Sequence, residues 1–213
     1  MTPDRQITQL RVEKKRSGPR VIVEFDRGEG LELDPEIVVR SALKTGATVS
    51  AERVEALCRE DEVLRARRRL TAYLALRVKS VADARLYLEK ASFSESAIGA
   101  ALADAGERGL LDDRRFAERY VRTKLKTSAV GPLRLLGELI SHGIEPSLAK
   151  QVVQPQFELD RQREAAASLA RKQLRKKTSE DDESNAKRIY DFLRRRGFED
   201  EVAREVSERA VRD

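Results

Sequence analysis

Tryptophan is absent from this chain of 213 residues, and cysteine, histidine and methionine occur once each. Aromatic residues make up only 5%. One cysteine, Cys58, cannot form an intrachain disulfide, which fits a reducing compartment. A zinc site draws on about four Cys, His or carboxylate ligands, and Cys58 with His142 alone does not suggest one. Any Ser-His-Asp or Cys-His arrangement would have to use His142. No glycine-rich phosphate loop is present. No apolar run approaches the roughly 18–20 residues that span a bilayer, and Met1 to Arg5 show no apolar region of a signal peptide. The expectation is a cytoplasmic protein with no membrane association, no cofactor and no ordinary enzymatic site.

What the chain has in quantity is charge. Lys and Arg number 43 against 37 Asp and Glu, for a net charge of +6. Charged residues make up 38% and hydrophobic residues 40%, which suits small helical units with thin cores. The basic excess is spread along the later part and is heaviest at the end.

The first 35 residues alternate. Thr8, Leu10 and Val12, then Val21, Val23 and Phe25, then Leu31 and Leu33 are separated by polar residues, the period of half-buried strands. Ser17-Gly18-Pro19 and Asp26 to Gly30 read as turns. A three-stranded antiparallel sheet follows, covered by a helix from Pro35 to about Lys44 that stops at Gly46. From Ala51 onward the spacing is helical. Val63, Ala66, Leu70 and Leu74 mark one apolar stripe, and Val81, Ala84, Tyr87 and Leu88 another. Phe116, Ala117 and Tyr120, then Leu135, Leu136, Leu139 and Ile140, then Ile189, Phe192 and Leu193 continue the series.

These helices repeat. Leu139, Gly143 and Ile144 align with Leu193, Gly197 and Phe198, and a weaker copy runs from Leu88 to Phe93. Each unit has an apolar helix, a short stop, a bulky residue that folds back and another helix, preceded by a longer basic helix. Glycine at the stop permits the left-handed backbone. The expected fold is mainly α: three tandem three-helix repeats in an elongated curved rod, after a small N-terminal antiparallel sheet with a helix. The corresponding segments are 1–60, 61–110, 111–157 and 158–213. Such small units must pack in a row to be stable.

Carboxylates in the chain have ordinary explanations. Asp112-Asp113 caps the helix that contains Phe116. Ser179 with Asp182 resembles a capping box, and Glu180 to Glu183 suits a helix start. His142 falls at a helix C-terminus, and Cys58 is expected in an apolar face. Four basic clusters stand out: Arg65 to Arg69, Arg114 to Lys126, Arg171 to Lys177, and Arg194-Arg195-Arg196. They can neutralise phosphates or meet an acidic protein surface. The same residues can also be solvated faces with pairs such as Glu118–Arg122. The aromatics fall on apolar stripes and read as core, not as stacking platforms.

Three motifs resemble one family. Gly109-Leu110-Leu111-Asp112-Asp113-Arg114-Arg115-Phe116-Ala117-Glu118-Arg119-Tyr120-Val121 is similar to the central signature of RecX regulatory proteins. Gly131 to Leu139, continuing to Gly143-Ile144, and Lys187 to Phe198 resemble the family's second and third repeat motifs in the same order. The first repeat departs, with Ala91-Ser92-Phe93 where a Lys-Gly-aromatic turn is common.

The resemblance implies a monomeric, non-enzymatic regulator of recombination and the SOS response. Its partner would be the RecA recombinase filament on single-stranded DNA, with double-stranded DNA as a further ligand. It would lie in the filament groove and inhibit ATP hydrolysis, strand exchange and co-protease activity. Carried over by position, the contacts are Arg119, Arg122 and Lys124, then Arg134, then Arg188, Arg194, Arg195 and Arg196. The alternative is a direct, largely non-specific DNA-binding helical repeat protein. Base readout is not expected, because Asn occurs only at Asn185 and no helix gathers a base-reading set.

Overall fold

The computed structural model describes residues 4–15, 18–175 and 181–212. Ser17, Lys176, Lys177, Ser179 and Glu180, which the sequence places in a turn, a basic cluster, a capping box and an acidic run, lie outside the described residues. The chain falls into two compact units, residues 1–77 with 84–110 and residues 78–83 with 111–213.

The first unit opens with β1 (Arg5–Lys15), β2 (Gly18–Phe25) and β3 (Leu31–Leu33), followed by α1 (Pro35–Arg40), β4 (Thr48–Val49) and α2 (Ala51–Leu76). The sheet has four strands in the order β3-β2-β1-β4, all pairings antiparallel. The fourth strand was not expected: it pairs only Val49 with Arg5 and Thr48 with Gln6. The alternation in β1 is broken by a bulge between Ile7 and Gln9. A bulge inserts one unpaired residue and changes which positions face inward. Ile7 is therefore fully buried and Leu10, three residues on, half-buried; Val12 shares the Leu10 face but is 67% exposed.

Helix α1 is shorter than its sequence suggests. Asp34 caps it through the Glu36 amide at 3.0 Å. It ends at Arg40, because Ala42 takes a left-handed backbone (φ 49°). Gly46 (φ 87°) serves the turn into β4 instead, its amide donating to the Ile7 carbonyl at 2.7 Å. Ile7, Val21, Val23, Leu33, Ile37 and Leu57 form the centre of the core beneath the sheet. Cys58 corrects an expectation: it is exposed, and its neighbour Leu57 takes the buried position.

A buried ion pair fastens the sheet to α2. Arg20 of β2 grips Asp61 of α2 with both Nη atoms, at 3.0 and 2.9 Å. Its Nε reaches Glu32 at 3.0 Å. Asp61 also accepts from the Asp34 amide at 2.7 Å and from Arg65 at 2.9 Å. Helix α2 packs along α4 (Glu95–Glu107), with α3 (Val81–Glu89) preceding it. Tyr73 and Tyr87 stack with ring centroids 3.9 Å apart.

The second unit holds α5 (Asp113–Thr127), α6 (Pro132–Ser141), α7 (Pro146–Val153) with a 3₁₀ turn at Gln154–Gln156, α8 (Leu159–Leu174), α9 (Asp182–Arg195) and α10 (Asp200–Arg212). Asp112 caps α5 through the Arg115 amide at 3.0 Å, as its position predicts. At the start of α9 the cap is Asp181, which accepts from Glu183 and Ser184. One core gathers Phe116, Val121, Leu135, Leu139, Ile144 and Val152. The other gathers Ala166, Leu169, Ile189, Leu193, Phe198 and Val206.

The repeat is reproduced bond by bond. Gly143 (φ 76°) donates to Ile140, and Ile144 folds back to donate to Leu139 at 3.1 Å. Gly197 (φ 86°) donates to Arg194, and Phe198 to Leu193 at 3.1 Å. The weaker first copy uses Ser92 (φ 59°) in the same way, with Phe93 donating to Leu88 at 3.4 Å.

Candidate functional site

The turns at Gly143 and Gly197 also build joints between repeats. The Gly131 amide donates to the Arg196 carbonyl at 2.9 Å, and the Leu133 amide to the Gly197 carbonyl at 3.0 Å. The electronegative C-terminal end of α9 thus meets the electropositive start of α6, satisfying amides that no side chain of α6 caps. A Cβ on Gly197 would stand 2.3 Å from the Arg134 nitrogen, and one on Gly131 would stand 2.2 Å from the Gly197 oxygen. At the other joint, a Cβ on Gly143 would stand 2.2 Å from the Ala82 Cβ. There Asp113 accepts from the Val81 amide at 2.9 Å, and Asp83 holds His142 Nδ1 at 3.1 Å. His142 is the C-cap of α6, as expected, with Phe116 and Tyr120 edge-on to its ring.

The eight cations selected from the sequence divide into two groups. Glu138 on α6 draws in Lys124 and Arg134, each at 3.0 Å, with the Tyr120 hydroxyl donating at 2.8 Å. Burial alone would raise the Glu138 carboxyl, but these three donors hold it below the ordinary glutamate value. The same carboxylate raises Lys124. Arg194 donates to the Phe198 carbonyl at 2.9 Å and lies 3.9 Å from Asp200, bracing the α9–α10 turn. Arg196 lies over the Phe192 ring at 5.2 Å, and Arg188 is half-buried on α9. These five serve the fold as well as any partner.

Arg119, Arg122 and Arg195 are exposed and make no ion pair with a described residue. The expected Glu118–Arg122 pair is not formed. Arg122 instead lines a groove of about 310 Å³ between α5 and α7, beside Arg114, Glu118 and Gln151. A second groove of about 570 Å³ lies between α8 and α10, lined by Arg163, Arg171, Arg175 and Glu205 over Leu174 and Val206. Arg163 was not among the expected residues, because the sequence does not show that it and Arg171 share one groove. Among the described residues, no three His, Cys, Asp or Glu side chains converge on a metal-sized site. No described helix is long and apolar enough to cross a membrane.

Comparison with known proteins follows the repeats. The second three-helix domain of RecX matches residues 112–153, and the third matches residues 160–206. A Geobacillus kaustophilus regulatory protein RecX is 30% identical over 184 residues, covering 85% of this chain and 68% of that one. One from Halalkalibacterium halodurans is 32% identical over 141 residues, 65% of this chain but only 53% of its relative, about half that protein's length. A crystal structure of regulatory protein RecX shares the fold, with a TM-score of 0.72, 21% identity and coverage of 96% of this chain and 99% of the other. With the joints, the repeated turns and these matches together, the chain belongs to the RecX family of regulatory proteins.

Proposed function

We propose that this protein is a non-enzymatic regulator that binds the RecA filament on single-stranded DNA and inhibits its ATPase, strand-exchange and co-protease activities. It acts in the cytoplasm as a monomer, with residues 1–60 as an extension and 61–110, 111–157 and 158–213 as the three repeats. The observation that carries the reading is a family repeat array that presents open arginines on its second and third repeats. Several weak contacts on one chain add through effective concentration, so a repeat array suits a polymeric partner.

The test is ATP hydrolysis by the cognate recombinase on single-stranded DNA, with this protein added to preformed filaments. The expected result is a progressive fall in rate. No fall, with binding to bare DNA intact, would overturn the filament reading in favour of a direct DNA binder.

Charge reversal tests the contacts. Arg119→Glu with Arg122→Glu, or Arg195→Glu alone, is expected to weaken filament binding by about tenfold or more while the melting temperature stays unchanged. These positions are better probes than Arg194, whose loss would also loosen the α9–α10 turn. Filament binding equal to that of the parent protein in both variants would remove these residues from the interface.

A further inference from the structure

Strand β1 has β2 along one side and only the end of β4 along the other. There β4 meets Arg5 and Gln6. Next to it, the Ile7 amide donates to the Ala47 carbonyl at 2.9 Å, and the Ile7 carbonyl accepts from the Gly46 amide at 2.7 Å. Beyond Ile7 no described strand lies on that side. Chirality decides which backbone groups this leaves open. L-residues of one strand whose side chains share a face aim N–H and C=O at the same edge. After the bulge, Leu10, Val12 and Lys14 share the face of Ile7. Since Ile7 bonds away from β2, so do they. Pro19, which pairs with Lys14, has no N–H to give and suits a pair not bonded to each other. The outward N–H and C=O groups of Leu10, Val12 and Lys14 have no partner among the described residues.

The open edge is basic and partly apolar. Arg11, Lys14 and Lys15 are exposed, and Glu13 is the acid among them. Arg11 lies 2.8 Å from Glu13, and Lys15 pairs with Glu32. Lys14 makes no ion pair with a described residue. Val12 is exposed where the apolar face of the sheet runs past its core. Unpaired backbone groups in a row are a template for another strand. Two copies of this strand would each bring an excess of positive charge, which opposes their pairing. A strand of opposite charge meets no such opposition.

We infer that the free edge of β1, from Leu10 to Lys15, takes an extended acidic segment of a partner protein as an added antiparallel strand. The outward groups of Leu10, Val12 and Lys14 supply the main-chain bonds. Carboxylates opposite Arg11, Lys14 and Lys15, with an apolar side chain over Val12, select the partner. The inference is independent of the filament reading, since it uses neither the helical repeats nor their arginines.

The probe is the acetylated and amidated peptide Glu-Glu-Gln-Val-Glu-Val, written to oppose Lys15 back to Leu10. It is titrated into the isotope-labelled full chain, with amide shifts and hydrogen exchange read along β1. Saturable shifts and slowed exchange at Leu10, Val12 and Lys14 are expected. Methylating the peptide nitrogens that face β1, or replacing each peptide glutamate by lysine, should weaken binding about tenfold or more. In the protein, Val12→Pro removes one outward donor at an edge position, where proline is tolerated, and should weaken binding similarly. Lys14→Glu should weaken the acidic peptide and favour the lysine one. Thermal melts confirm folding, and Lys14→Glu with the peptide controls decides the matter if the proline variant does not fold. An absence of shifts at these amides would overturn the inference. So would a methylated peptide that binds equally well, or acidic and lysine peptides that bind alike. Shifts at the same amides that grow with protein concentration alone would replace the acidic partner by a second copy of the chain.

Discussion

Asp61→Ala is expected to destabilise the first unit by about 3–5 kcal/mol, the usual cost of removing one partner from a buried ion pair. The loss is large because Arg20 stays behind, 7% exposed, keeping the Glu32 carboxylate and carbonyl on Nε and Nη2 but losing the acceptor of Nη1 and its buried counter-charge. The Asp34 amide loses its acceptor as well. A double replacement, Arg20→Met with Asp61→Leu, should recover much of the stability, since apolar groups of similar volume often replace a buried pair without loss. Urea titration of the three proteins decides the matter. A single variant within about 1 kcal/mol of the parent would show that the pair does not hold the sheet to α2.

The same pair sets an acid limit. Burial alone would raise the Asp61 carboxyl, but Arg20, the Asp34 amide and Arg65 outweigh it and hold it below the ordinary aspartate value. The folded state thus binds this proton less readily than the unfolded chain, whose value is about 3.9. The contribution of Asp61 is present in full above that pH and is lost as pH falls through the lower folded value. Asp61→Ala should therefore flatten the fall in stability below about pH 4.

Three glycine variants should separate the turn from the joint. Gly197→Ala meets a left-handed backbone (φ 86°) and the Arg134 backbone at 2.3 Å. Gly131→Ala meets only the second problem, since its φ is −87° and its Cβ would stand 2.2 Å from the Gly197 oxygen. Gly109→Ala meets only the first, with φ 65° and open space around it. The left-handed backbone costs about 1–2 kcal/mol and overpacking about 1–3 kcal/mol. The expected losses are thus about 1–2 for Gly109→Ala, 1–3 for Gly131→Ala and 2–5 kcal/mol for Gly197→Ala. Hydrogen exchange at the Gly131 and Leu133 amides should accelerate in the latter two alone. A Gly131→Ala protein that melts with the parent would remove the steric basis of the joint.

Much of this architecture is legible because it is local. Asp112 before a basic amphipathic helix announces a cap, and glycine followed by a bulky residue announces each turn. What escapes is set by residues distant in sequence. Thr48 and Val49 are too few to show a strand period, and the bulge at Thr8 reverses the inward side of β1 without leaving a turn signal. The basic clusters look alike in sequence. Only the position of Glu138 separates Lys124 and Arg134, which are tied, from Arg119 and Arg122, which are open. Likewise, Gly197 reads as a helix stop, but its second duty depends on Gly131 and Arg134 lying against it.

The joints give the array a polarity. The backbone amides bonded across them belong to the earlier repeat and their acceptors to the later one: Val81 to Asp113, Gly131 to Arg196, Leu133 to Gly197; the contact of Asp83 with His142 runs the other way. The first turn, at Ser92, is exposed and has no such partner among the described residues, so serine suffices where the later turns need glycine for space as well as φ. At the opposite end, α9 meets its own need, for Asp181 accepts from Glu183 and Ser184. In the register that aligns Gly143 with Gly197, the place of Gly131 falls on Asn185, inside α9, and its amide already donates to the Asp181 carbonyl at 3.1 Å. Whether such a chain can be lengthened by duplication is thus a question of where its last middle helix begins. One that starts at a glycine, as α6 does, leaves amides open to a neighbour; one that starts a turn earlier, as α9 does, has used them.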